Sequence, residues 1–391
     1  MPDGRWWENL ETNFAQRPEG FELEPRDWLR VKATAVGDIA LRTAGASMLG
    51  LFALPASLMP RLDGRYGLLA AESKDEWQAY LDLLEADPKA LFAPPAHPID
   101  ITHYSPRKRG FTPKDGACEG LKFDSPYIPF NPDYRKRFAN HHRSRVARAR
   151  YWRHNDGPRP TLIAIHGFMA DSQWFNERFF SLKRFYDQGC DIILYTLPHH
   201  GLRQEPTSIF SGMGFFSHGF GAVNEHMAQA ICELRSLIDW LEDERGVTKV
   251  GVTGMSLGGW TTALLASVED RLQFAIPNVP VASPFDLILE WQPTGIALRM
   301  GLAASGLSVR DGRRLLAVTT PLTHRPVIAK ERLMIIGGVG DRLASPKHSR
   351  LLWDHWDRCR IHWFPGNHLL HLDRGEYLKE MAGFMRELEF I

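Results

Sequence analysis

Residues 248–260, Thr-Lys-Val-Gly-Val-Thr-Gly-Met-Ser-Leu-Gly-Gly-Trp, set a serine between two glycines where a short β-branched run gives way to a helix-compatible stretch. No other segment constrains the fold as much. A strand that stops abruptly and a helix that starts at once fit together only if the residues two before and two after the serine carry no Cβ. Gly254 and Gly258 meet that demand, and Ser256 is expected in a strained backbone conformation with its hydroxyl over the helix N-terminus. In a chain with 33 glycines the five-residue pattern alone means little, so its surroundings carry the argument.

Those surroundings alternate strand and helix. Leu162–Ile165 is a short apolar run that ends in His166-Gly167-Phe168-Met169 and reads as a buried strand and a tight loop. Ser172–Gln188 follows as a helix, with Phe179, Leu182, Phe185 and Tyr186 at helical spacing and Gly189 in the C-cap position. Asp191–Leu197 is a second strand, terminated by Pro198-His199-His200-Gly201. Val223, Met227, Ala230, Ile231, Leu234, Leu237, Ile238 and Leu241 then trace one face of a long helix closed by Gly246, and the strand Val247–Thr253 leads into the serine turn. Further strands are expected at Gln273–Val281, Arg332–Gly337 and Arg360–Phe364. Short apolar strands joined by helices of this length imply right-handed crossovers and a mostly parallel central sheet covered by helices on both faces, an α/β fold.

With these elements in order, the chain resembles the α/β-hydrolase superfamily over about residues 105–391. The resemblance rests on the His166-Gly167-Phe168 loop, the Gly254–Gly258 elbow, Gly340-Asp341 after a late strand and Gly366-Asn367-His368 after the last one. It implies a serine hydrolase acting on a carboxylic ester of a small molecule or lipid, with an apolar pocket, no metal and no cofactor. A peptidase or acyltransferase would use the same machinery, and a catalytically silent fold kept for binding is the alternative from another class. Ser256 would be the nucleophile. A neutral hydroxyl needs a base within hydrogen-bond reach, and His368 is the candidate, with His371 in reserve. Asp341 would fix the tautomer of His368, while Asp286, after the preceding strand, is the rival acid and otherwise reads as a helix N-terminal carboxylate. The resemblance places the oxyanion donors at the backbone N–H groups of Leu257 and Phe168, with Met169 as alternative to Phe168 and Gly167 keeping the loop close. His199 and His200 are read as pocket wall or a solvated turn; adjacent histidines are poor joint ligands, and no His-x-x-x-His or Cys-x-x-Cys spacing occurs.

A net charge of +1 gives no reason to invoke nucleic acid, and the scattered cysteines, Cys118, Cys190, Cys232 and Cys359, read as free thiols of a reducing compartment. The amino terminus has no apolar signal core, which points to the cytoplasm. Residues 1–105 form a helical and extended region ahead of a hydrolase domain at 106–391. Ser73-Lys74-Asp75-Glu76 is a capping box opening a helix that carries Trp77, Tyr80, Leu81 and Leu84. Residues 88–132, with nine prolines, read as extended chain. Thr43–Pro60 is uncharged and too interrupted to span a bilayer; it is expected to pack on the hydrolase body, peripheral membrane contact being the alternative. Between Arg135 and Arg159 nine basic residues accompany one acid, the pattern of an edge strand with a charged solvent face. Residues 283–330, apolar at helical spacing, are expected to insert as a helical lid over the pocket.

Overall fold

The computed structural model describes residues 5–10, 14, 17, 19, 25–53, 74–106, 110–304, 306–373 and 375–391. Nine strands build one sheet: β1 (Thr102–Tyr104), β2 (Gly116–Asp124), β3 (Val146–His154), β4 (Thr161–Ile165), β5 (Asp191–Thr196), β6 (Val250–Met255), β7 (Leu272–Asn278), β8 (Met334–Gly338) and β9 (Arg360–Phe364). Their order is β1-β2-β3-β5-β4-β6-β7-β8-β9. From β5 to β9 every pairing is parallel, and β1, β2 and β3 are antiparallel additions beside β5. β4, β6 and β8 are buried at every position, as strands covered on both faces must be.

The helices, in chain order, are α1 (Trp6–Asn9), α2 (Pro25–Ala53), α3 (Lys74–Ala86), α4 (Pro132–Ala139), α5 (Gln173–Phe179), α6 (Leu182–Asp187), α7 (Met213–Phe216), α8 (Phe220–Asp243), α9 (Leu257–Leu265), α10 (Pro284–Glu290), α11 (Thr294–Ala304), α12 (Val309–Ala317), α13 (Pro346–His355) and α14 (Glu376–Glu387). α8, α9 and α13 join the apolar core on one face of the sheet, and α5, α6 and α14 that on the other. The mostly parallel, helix-covered sheet expected from the alternation of strands and helices is therefore the fold observed.

Four local readings need correction. The basic segment is not an edge strand: residues 135–139 lie in α4, and β3 pairs with β2 on one side and β5 on the other. Alternation suffices to explain the charges, because a strand with one solvated face exposes every second side chain wherever it sits in an antiparallel sheet. Residues 88–132 are not simply extended chain, since β1, β2 and a 3-10 turn at Pro88–Phe92 fall within them. The single helix expected over Ser172–Gln188 is broken into α5 and α6 at Ser181, which takes a left-handed conformation. The strand before the serine turn starts at Val250 rather than Val247.

The amino-terminal region is bound into the body. The sheet begins with Thr102, ahead of the 105/106 boundary. Tyr80 of α3 donates a 2.6 Å hydrogen bond to Glu225, a buried residue of α8, and Trp6 of α1 donates to Thr323 at 2.9 Å. α2 lies across α11, where Thr294 Oγ1 donates to the Ala46 carbonyl at 2.5 Å. The capping serine, Ser73, and residues 54–60 of the uncharged segment lie outside the described residues. No described helix is long and apolar enough to cross a membrane.

Candidate functional site

Ser256 stands where β6 hands over to α9, with φ 54° and ψ −112°. Such a conformation costs on the order of 1–3 kcal/mol and persists only when its surroundings enforce it. Close approach enforces it here. A Cβ on Gly254 would lie 2.3 Å from the Gly258 carbonyl oxygen, and one on Gly258 would lie 2.1 Å from that of Ile165. The loop after β4 comes equally near, since a Cβ on Gly167 would sit 3.3 Å from that of Ser256. His166, buried in this loop, donates from Nδ1 to the Gly167 carbonyl at 2.8 Å and accepts the Leu197 N–H on Nε2 at 3.1 Å. It thereby pins the loop to the end of β5, and burial holds its pKa below the ordinary histidine value.

Asp341 follows β8, and His368 follows β9. His368 Nδ1 lies 2.6 Å from Asp341 Oδ2, both side chains being buried. The other carboxylate oxygen of Asp341 accepts the backbone N–H groups of Leu343 and Ala344 at 2.8 and 2.9 Å, so the acid is held at both ends. Burial pushes the His368 pKa down, but the charge and hydrogen bond of Asp341, helped by Asp38, outweigh it and leave the pKa raised. Ser256 and His368 line one cavity of about 490 Å³, together with Phe168, Met255, Leu287, Trp291 and Leu369. A narrower apolar hollow of about 50 Å³ shares Phe168, Ser256, Leu287 and Trp291 with it and is also lined by Leu257 and Trp260. Phe168 and Leu257 both line this hollow beside Ser256.

Of the alternatives, Asp286 and His371 make other contacts. Asp286 sits in the first turn of α10 and forms a buried ion pair with Arg313 at 2.7 Å, while accepting from Ser283 Oγ at 2.6 Å. His371 packs among the rings of Phe364, Tyr377 and Phe179, and burial pushes its pKa down to about 3. Met169 has φ 58° on the cavity wall. His199 and His200 are buried, not solvated. His200 stands behind the pocket wall with its ring 5.9 Å from that of Phe168, and His199 faces away into a group of histidines.

One residue at this site was not singled out from the sequence. Asp38, fully buried on α2, accepts the backbone N–H groups of both Arg342 and His368 on the same oxygen, each at 2.9 Å. It bridges the loop carrying the acid and the loop carrying the base. Around it, Asn367 donates to the Thr34 carbonyl at 2.8 Å, Arg42 donates to the Arg342 carbonyl at 3.1 Å, and Leu41 and Gly45 line the cavity. Burial and the neighbouring Asp341 raise the Asp38 pKa. Its only signal in the sequence is position: Val31, Ala35 and Asp38 fall on one helical stripe, an acid where a core residue is due.

Comparison with known proteins agrees with this architecture. The family model of alpha/beta hydrolase domain containing 18 matches residues 123–286. An uncharacterized protein of Mycobacterium tuberculosis is 28% identical over 305 residues; the match covers 72% of this chain and 66% of that protein's length, slightly less than two thirds. Among solved structures, the acetyl xylan esterase of a Paenibacillus species is similar with a TM-score of 0.53 at 14% identity, over 81% of this chain and 99% of the other. Acetyl Xylan Esterase 1 of a Thermoanaerobacterium species gives 0.50 at 16% identity, over 80% and 92%. At such identities a structural likeness speaks for the fold alone. Taken with the family match over residues 123–286 and the strand-end loops described above, it identifies the architecture as the α/β-hydrolase fold.

Proposed function

We propose that the protein is a serine hydrolase that cleaves a carboxylic ester of an apolar acyl compound through an acyl-enzyme on Ser256. The observation that carries this reading is the pairing of a strained serine with a carboxylate-bound histidine on the wall of one largely apolar cavity. His368 takes the Ser256 proton through Nε2 as the C–O bond forms, Asp341 holds Nδ1–H and stabilises the imidazolium, and the proton then passes to the leaving alcohol. The backbone N–H groups of Phe168 and Leu257 receive the oxyanion. Water, deprotonated by the same histidine, releases the acid in the second half.

The cavity walls favour a hydrophobic acyl group, and the roof suggests how such a substrate arrives. α2 exposes Val36 and Leu41, and α11, packed against it, exposes Ile296 and Met300. Apolar side chains bared beside an apolar cavity suit an ester presented by a lipid surface, with the amino-terminal region making the peripheral contact. The ester-cleaving names of the two structural neighbours point to the same reaction class, with a different substrate.

Labelling with a fluorophosphonate probe tests the nucleophile. The probe should add to Ser256 and to no other serine, and Ser256→Ala should abolish labelling and lower turnover by about 10⁴-fold or more while leaving the fold intact. Labelling that persists in the variant would overturn the assignment. An ester series of increasing chain length, free and vesicle-borne, then defines the acyl group.

A further inference from the structure

Behind the pocket wall lies a second polar cluster that the reaction does not use. His141 follows α4, His199 ends the turn after β5, and His226 lies on α8; one ring nitrogen from each falls within 4.8 Å of the others. His199 Nε2 is 3.0 Å from His226 Nε2. Tyr134 Oη is 2.5 Å from that same nitrogen and 3.4 Å from His141 Nδ1. A fourth imidazole, His218, has its ring 5.4 Å from that of His141.

Hydrogen bonding among neutral groups does not satisfy this arrangement. His226 Nδ1 faces the Phe215 carbonyl at 3.0 Å and must donate to it, so Nε2 carries the lone pair. That single lone pair meets both the Tyr134 hydroxyl and the His199 ring nitrogen. If Tyr134 turns its proton to His141 instead, two lone pairs oppose each other at 2.5 Å. A protonated His226 would relieve the conflict, but its ring is fully buried and packs against the imidazoles of His141 and His199, with no carboxylate among its hydrogen-bond partners in the described residues. Neutral imidazoles with convergent lone pairs are what a borderline divalent ion takes.

We propose that His141, His199 and His226 bind a divalent transition-metal ion of the Zn²⁺ class, with Tyr134 as the fourth ligand. Metal–nitrogen bonds of about 2.0–2.1 Å in a tetrahedron put ligand atoms about 3.3–3.4 Å apart. The 3.0 and 3.4 Å separations lie near that value; the 2.5 Å Tyr134–His226 contact would open by about 0.8 Å, and the widest nitrogen pair, at no more than 4.8 Å, would close by at most about 1.4 Å. The Phe215 carbonyl serves as the outer partner that orients His226. Local spacing gave no hint of this site because its ligands come from three separate elements. The ion would be structural, clamping the α4 segment and the turn after β5 onto α8. That turn carries His200, whose ring packs on Phe168.

The full-length chain, stripped with a chelator and titrated with Co²⁺, reads the site directly. One equivalent should bind with the intense visible absorption of four-coordinate Co²⁺, bleach on addition of Zn²⁺, and raise Tm. His141→Gln, at the most accessible ligand, should weaken Co²⁺ binding by at least the roughly 10–100-fold that loss of an outer-shell partner costs. Tyr134→Phe should shift the absorption bands while keeping the stoichiometry, which preserves the test should His141→Gln misfold. Absence of the bands and of any Tm shift in the unaltered chain would overturn the proposal. So would binding and spectrum unchanged in both variants, which would place the ion elsewhere.

Discussion

Replacing Asp38 by asparagine keeps the shape and one acceptor oxygen but removes the charge, and the structure assigns opposite signs to its effects on stability and on catalysis. The carboxylate accepts two backbone N–H groups at 2.9 Å. Converting charge-assisted bonds to neutral ones costs about 1 kcal/mol each, hence about 2 kcal/mol. Against this stands the cost of holding a carboxylate fully buried beside Asp341, several kcal/mol for an ion removed from water. An acid whose folded pKa is raised withdraws stability above that pKa. Asp38→Asn should therefore unfold at neutral pH with unchanged or higher stability.

Activity should move the other way. His368 acts as a base only when neutral, so turnover falls as pH drops through its raised pKa. Asp38 contributes to that elevation, and its loss moves the acid limb of the pH–rate profile to lower pH. The same loss withdraws support from the imidazolium formed in the transition state. An interaction with a charged group is worth about 1.5–3 kcal/mol, and because Asp38 reaches His368 through the backbone N–H, the lower end applies, roughly tenfold in turnover. The assay is kcat and kcat/KM on a soluble short-chain ester across the pH range, beside urea unfolding of the same samples. An unmoved acid limb with unchanged kcat would reduce Asp38 to an anchor for α2 and refute the reasoning.

Three further outcomes follow from the same geometry. Asp341→Asn should lower kcat by about 10³–10⁴-fold with little change in KM, measured on the same ester. Asp286→Asn should leave kcat per folded molecule intact yet cost about 3–5 kcal/mol in urea unfolding, because the buried Arg313 guanidinium loses the carboxylate it pairs with; the reverse ranking of the two acids would move the catalytic role to Asp286. Removal of residues 1–105 strips Tyr80, Leu91 and Phe92 from the core and takes Asp38 with it. The product should aggregate in size-exclusion chromatography, and any soluble fraction should show impaired turnover even on a soluble ester; full activity there would remove α2 from the site.

What the sequence reveals of this fold depends on how local its cause is. The strands β4 to β8 are short, largely apolar runs because both faces are covered, and burial writes itself into composition. The loops after β4, β6, β8 and β9 are legible for the same reason, since glycines and chemistry-bearing residues crowd the strand ends. β2 and β3 are not, because a half-solvated antiparallel strand alternates Arg148 and Arg150 with Ala147, Ala149 and Tyr151, and that pattern is shared by interior and edge strands alike. The break at Ser181 has no proline or glycine to announce it. Asp38 lies furthest from reach. An aspartate between Gly37 and Ile39 on a long helix reads as solvent-facing until the loops at 340–344 and 366–370 are folded against it, about three hundred residues downstream. A buried acid of this kind is satisfied only by groups that the helix itself cannot supply. Its identity as part of the candidate site is thus a property of the docking of α2 onto the sheet, and the amino-terminal region belongs to the site it covers.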